Sequence, residues 1–132
     1  METIPENYRD LLEKKAFAHL ATVMPDGSPQ VTPVWCDFDG THIRVNSAAG
    51  RVKDRNMRRQ RKVALAMLDP DNPYRHLSVR GQVTDIIEGA EADAHIDTLA
   101  KKYIGQDRYP WRRPSERRVM YRILPERISG MG

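Results

Sequence analysis

Gln30-Val31-Thr32-Pro33-Val34-Trp35-Cys36-Asp37-Phe38-Asp39-Gly40-Thr41-His42-Ile43-Arg44-Val45-Asn46 is the stretch on which the fold turns. Residues 30–38 alternate and are rich in Val, Thr and Trp, as a half-buried strand is. Asp39-Gly40 is a two-residue hairpin signal, and residues 41–46 read as the returning strand. Pro33 has no N–H to give to a ladder, so the first of these strands has a free edge or a bulge there. Just upstream, residues 17–23 form a short apolar strand closed by Pro25-Asp26-Gly27-Ser28, a turn by composition. The three runs together predict an antiparallel meander.

Before the meander, Thr3 with Glu6 three residues later reads as a capping box with Pro5 in the first turn. The helix it predicts, to Lys15, puts Ile4, Tyr8, Leu11 and Leu12 on one face, which must cover one end of a sheet.

After the meander, residues 47–62 carry seven basic side chains and one acid, Asp54. Small residues at positions 47–50 let the backbone turn, and a helix starts at once. Free N–H groups at a helix start, with Arg and Lys beside them, suit a phosphate or another anion. A solvated basic face is the plainer reading of the same residues. Strands follow at 63–69 and 74–87, with Gly81 marking a bulge or bend. A second helix spans 90–103, with Ile96, Leu99, Ala100 and Tyr103 in one stripe and Gly105 as its stop. Residues 105–117 are a loop with Tyr109, Trp111 and several arginines. The last strand, 118–124, ends at Pro125. The sum is a mainly β chain with minor α: a six-stranded antiparallel barrel, closed or nearly closed, with flanking helices, in one domain over residues 1–132. Small barrels fill their interiors with side chains, so a ligand would sit outside the barrel or between subunits.

Composition narrows the partners. The net charge of +4 and pI near 9.4 suggest an anionic partner. One cysteine, Cys36, leaves no internal disulfide and no cysteine metal cluster, which fits a reducing cytoplasm. No apolar run approaches the ~18 residues of a membrane span, and the N-terminus has no secretory pattern. His19, His42, His76 and His95 show no metal-ligand spacing, and no nucleophile elbow, Walker loop or GxGxxG occurs. An enzyme built this way leaves its difficult chemistry to a bound cofactor.

Three segments resemble a known family: residues 21–29 (Ala-Thr-Val-Met-Pro-Asp-Gly-Ser-Pro), Val31-Thr32-Pro33-Val34-Trp35, and Ser47 followed by Arg51-Val52-Lys53-Asp54-Arg55-Asn56. In that order they are similar to the pyridoxamine 5'-phosphate oxidase-like split-barrel flavoproteins, and look nearest to the flavin/deazaflavin oxidoreductases that use coenzyme F420. The resemblance implies a split β-barrel homodimer with two cofactor sites at the subunit interface. It implies that Arg51 and Lys53 hold the cofactor phosphate, with Ser47 as a hydroxyl donor and Arg55 and Asn56 close by. Backbone around Thr32, Pro33 and Val34 would line the ring, with Val45 and Asn46 beneath it. Tyr74, Arg75 and His76 would come from the second subunit.

F420 is favoured over FMN because its oligoglutamate tail spreads more negative charge, which Arg58, Arg59, Arg61, Lys62 and the arginine-rich loop could meet. The implied activity is hydride transfer from reduced F420 to a conjugated or unsaturated small molecule. An FMN enzyme of the same fold and a non-catalytic F420 carrier remain open. A nucleic-acid binder would also use the basic helix and the aromatic loop, but the chain has no RNA-binding aromatic motif and no recognition-helix pattern.

Overall fold

The computed structural model describes residues 2–132; Met1, the first residue of the expected domain, lies outside the described residues. Seven strands form the sheet: β1 (Ala18–Val23), β2 (Pro29–Val34), β3 (Cys36–Phe38), β4 (Ile43–Ala48), β5 (Lys62–Asp69), β6 (Asn72–Glu88) and β7 (Arg118–Met131). Three helices accompany them: α1 (Asp10–Glu13), α2 (Val52–Arg59) and α3 (Ala90–Ile104). Every pairing is antiparallel, in the order β2-β1-β5-β6-β7-β4-β3. The sheet curls into a half-barrel.

The sequence reads as six strands, and the structure corrects this to seven. The run 30–38 is divided at Trp35: β2 pairs with β1 on one edge of the sheet, and β3 pairs with β4 on the other. The expected three-strand meander is therefore two hairpins at opposite edges. The accumulated twist of the strands curls the sheet until its edges approach, and Trp35 is the single residue that crosses the split. Pro33 lies on edge strand β2, as its missing N–H requires.

The last strand is also longer than expected. β7 runs past Pro125 to Met131, because the register shifts between Arg80 and Gly81: Gly81 faces Pro125, and Arg80 faces Arg127. The extra residue, Glu126, makes a bulge, where a proline costs no ladder bond. Gly81 fits because an added Cβ would lie 2.6 Å from the Leu124 carbonyl oxygen.

The N-terminal helix is shorter than its periodicity suggests. A 3-10 turn (Glu6–Tyr8) leads into the single turn of α1, with no side-chain cap from Thr3. The apolar face survives: Ile4, Leu11 and Leu12 are buried in the main core with Leu20, Leu65, Met67, Leu77, Val79, Tyr121 and Ile123. Packing has set the path of this segment over local propensity. Each such aliphatic side chain, fully buried, contributes about 1.5–3 kcal/mol. α3 ends on Gly105 in the left-handed conformation (φ 69°), and its stripe of Ile96, Leu99, Ala100 and Tyr103 is buried as read.

Candidate functional site

β4 passes into α2 through Ala49-Gly50-Arg51, and Gly50 takes φ 90°, which side-chain-bearing residues seldom adopt. The turn is held by Asp54, buried one turn into the helix. Its carboxylate accepts from the Gly50 N–H at 2.9 Å, Arg58 Nε at 3.0 Å and the Tyr121 hydroxyl at 2.5 Å. The one acid of the basic segment thus folds back to fix the helix start, and Arg51 and Lys53 project from it.

Both line a cavity of about 290 Å³ outside the curled sheet. Pro33 and Val34 of edge strand β2, with Trp35 after it and Phe17 just before β1, form one wall, Asn46 and Arg118 contribute from β4 and β7, and Ile96, Tyr109 and Trp111 close it from α3 and the loop after α3. Trp35 anchors the aromatic side. It stacks on Tyr103 at 5.3 Å between ring centres and meets Tyr109 edge-on at 6.1 Å, with Trp111 at 6.3 Å. A planar ligand would find aromatic faces here.

The cavity is cationic. Glu116 accepts from Arg51 at 3.0 Å and from Arg118 at 2.6 Å, so one carboxylate bridges two guanidinium groups. Burial would raise the Glu116 pKa, but Arg118 and Arg51 together hold it below the usual carboxylate range. Lys53 has no acidic partner among the described residues. Burial, then the charges of Arg51 and Arg118, push its pKa below the ordinary lysine value. Three cations against one carboxylate, with one cation unpaired, would suit an anionic ligand.

Of the residues expected at a site, Pro33, Val34, Asn46, Arg51 and Lys53 come together on this wall. Thr32 and Ser47 sit beside wall positions with buried hydroxyls that have no hydrogen-bond partner. Val45 is in the core. Arg55 braces the turn through the Gly50 carbonyl at 2.5 Å. Asn56 is buried and ties α2 to β1 through Thr22 Oγ1 at 3.0 Å.

Tyr74, Arg75 and His76, at the start of β6, do not line the cavity of their own chain. Arg75 is engaged by Asp10 and Asp69, at 2.7 and 3.0 Å. Of the further cations, Arg58 pairs with Asp54 and Glu88, and Arg59 donates to the Val23 carbonyl. Sequence reasoning left Phe17, Trp35, Ile96, Tyr109 and Trp111 out of the site, and offered Arg118 only as the end of an arginine-rich loop that could meet the coenzyme tail. The one signal for Tyr109 and Trp111 was the aromatic, arginine-rich composition of the loop 105–117, which says nothing of where that loop folds back.

A second cavity, of about 340 Å³, includes Lys62, Arg80 and Arg127 in its lining but no aromatic side chain, so it is the poorer host for a ring. Among the described residues, no cluster of three or more His, Cys, Asp or Glu could hold a metal ion. No helix there is long and apolar enough to cross a membrane.

The family model for pyridoxamine 5'-phosphate oxidase matches residues 4–132. The chain belongs to that family. Among solved structures, this pyridoxamine 5'-phosphate oxidase family member is similar to an F420 reductase, with 39% identity and a TM-score of 0.83, over 96% of this chain and 98% of that one. It is also similar to a conserved hypothetical protein of Mycobacterium tuberculosis, with 25% identity and a TM-score of 0.77 over 97% and 84%. The HupZ protein of Group A Streptococcus shares the fold at 21% identity, with a TM-score of 0.69 over 96% and 93%. No curated protein matches the sequence at a significant level.

Proposed function

We propose that this family member is an F420-dependent oxidoreductase acting as a homodimer on a conjugated or unsaturated small molecule. The observation that carries the reading is Lys53, a half-buried ammonium without a carboxylate, set beside Arg51 and Arg118 on an aromatic-walled cavity. The likeness to an F420 reductase along nearly the whole chain supports the choice of coenzyme.

The residues fit a phosphorylated ring cofactor. Arg51, Lys53 and Arg118 would meet its anionic arm, and the Pro33-Val34-Trp35 segment would lie along the ring. When bound, such a coenzyme supplies hydride chemistry to an unsaturated acceptor. The chain's contribution is to orient the ring, keep water from its apolar face and balance its charge, since no acid–base dyad lines the cavity. A second copy would cover the outward face of β1, β2 and β5, where Phe17, Val31 and Leu68 are exposed, and would bring Tyr74 and His76 towards the site.

Steady-state oxidation of reduced F420 against a panel of conjugated acceptors tests the reading. Acceptor-dependent turnover is expected. Tight binding without turnover on any acceptor would make the protein a carrier, and binding of FMN but not F420 would overturn the choice of coenzyme.

A further inference from the structure

Arg118 is 4% exposed, yet it lines the cavity, and not all of its nitrogens are engaged. Nε donates to Asn46 Oδ1 at 3.0 Å and Nη1 to Glu116 Oε1 at 2.6 Å, with the Tyr109 ring centre 5.1 Å from Cζ. Nη2 makes no hydrogen bond among the described residues. A long, flexible side chain is thus held in one place with donors to spare.

What holds it can be followed atom by atom. Asn46 Nδ2 lies 3.0 Å from the Ala92 carbonyl oxygen and 3.1 Å from His95 Nδ1. A carbonyl only accepts, so the amide nitrogen must face Ala92 and the amide oxygen must face Arg118. His95 Nδ1 then receives the second Nδ2 proton and carries none itself. The imidazole proton therefore sits on Nε2, which donates to Asp37 Oδ1 at 3.1 Å. Asp37 is clamped in turn by Arg44 through two bonds, at 2.9 and 2.7 Å. Burial favours the protonated form of Asp37, but His95 and Arg44 outweigh it and hold the pKa below the usual carboxylate value. Every donor and acceptor from Arg44 to Arg118 has one assignment, and the series joins β3, β4, α3 and β7.

We propose that Arg118 contacts the ligand of the cavity, offering Nη2 to an anionic or carbonyl oxygen, and that Asp37, His95 and Asn46 are positioning residues that hold its guanidinium for that contact. The proposal rests on the cavity being the F420 site. A network that merely fastened α3 to the sheet would not need to end on a side chain with free donors facing a cavity.

The test is a double-mutant cycle in the full chain, with F420 as the probe. Arg118→Ala is expected to weaken binding about tenfold or more, and Asp37→Asn and His95→Gln each about three- to tenfold. Combined with Arg118→Ala, either substitution should add less than about twofold, because both act through the same guanidinium. Additive losses, or parent-like binding by folded Asp37→Asn and His95→Gln, would overturn the proposal.

Nitrogen NMR of the ligand-free protein gives a second arm that needs no coenzyme. A slowly exchanging Arg118 Nε–H, identified by its loss in Arg118→Ala, and a His95 proton on Nε2 are expected. The Arg118 signal should disappear in Asp37→Asn or His95→Gln protein that keeps its fold. Its absence from the parent, or its persistence in the folded variants, contradicts the positioning role. A parent chain that failed to bind F420 would remove the proposed function, while the NMR arm would still decide whether this network holds Arg118.

Discussion

Lys53 combines burial, two cationic neighbours and no carboxylate, an arrangement that costs the ligand-free protein stability. Lys53→Met should therefore raise the melting temperature of the ligand-free chain while weakening F420 binding, opposite signs that a purely structural lysine would not give. Lys53→Ala should weaken F420 binding by about 1.5–3 kcal/mol, the loss of one charged hydrogen bond, as read by calorimetric titration. Parent-like affinity in that variant would remove Lys53 from the site. Arg51 and Lys53 were legible in the sequence because their position at a helix start is a local property. Trp35, Tyr109 and Trp111 were not, because they reach the cavity through a split strand and a loop that folds back over it. No local pattern encodes that contact.

At the scale of elements, an ion-pair cluster ties α1 to the turn between β5 and β6. Asp69 accepts from Arg75 at 3.0 Å, from Lys14 at 3.2 Å and from the Asp71 backbone N–H at 2.9 Å. The Asp71 N–H is the largest influence, and with the two cations it holds the Asp69 pKa at about 2, below the ordinary 3.8. A carboxylate depressed on folding stabilises the fold above its unfolded pKa and loses that contribution as pH falls through the folded value. The melting temperature should therefore drop between pH values of about 4 and 2, and Asp69→Asn should flatten that drop. An unchanged profile would mean that the cluster carries no linkage.

Gly81→Ala drives a Cβ against the Leu124 carbonyl at the bulge and should cost about 1–3 kcal/mol in denaturant unfolding. The bulge at Gly81, the edge position of Pro33 and the Gly105 stop were readable because each depends on the backbone limits of one residue. The continuation of β7 through Pro125 was not, since a bulge is made jointly with the partner strand.

At the scale of the molecule, the half-barrel leaves β2 and β3 as edges that meet at Trp35, and the cavity opens beside that split. The hairpin signals and alternating runs showed an antiparallel sheet. The assignment of strands to edges was invisible, because it depends on the summed twist of seven strands rather than on any one of them. The outward face of β1, β2 and β5 should be where two copies meet. Val31→Asp, at a side chain that is 63% exposed, should shift the sedimenting species from dimer to monomer without lowering the melting temperature at low concentration. A parent chain that sediments as a monomer would rule out a shared site.

The most direct test of the central claim uses fluorescence already present in the chain. Its two tryptophans, Trp35 and Trp111, both line the cavity, so their emission reports occupancy without a label. Adding F420 to the purified protein should quench that emission saturably, and the same titration of Lys53→Ala should shift the midpoint about tenfold or more to higher concentration. No saturable quenching, or a midpoint unmoved by both Lys53→Ala and Arg51→Ala, would contradict the account.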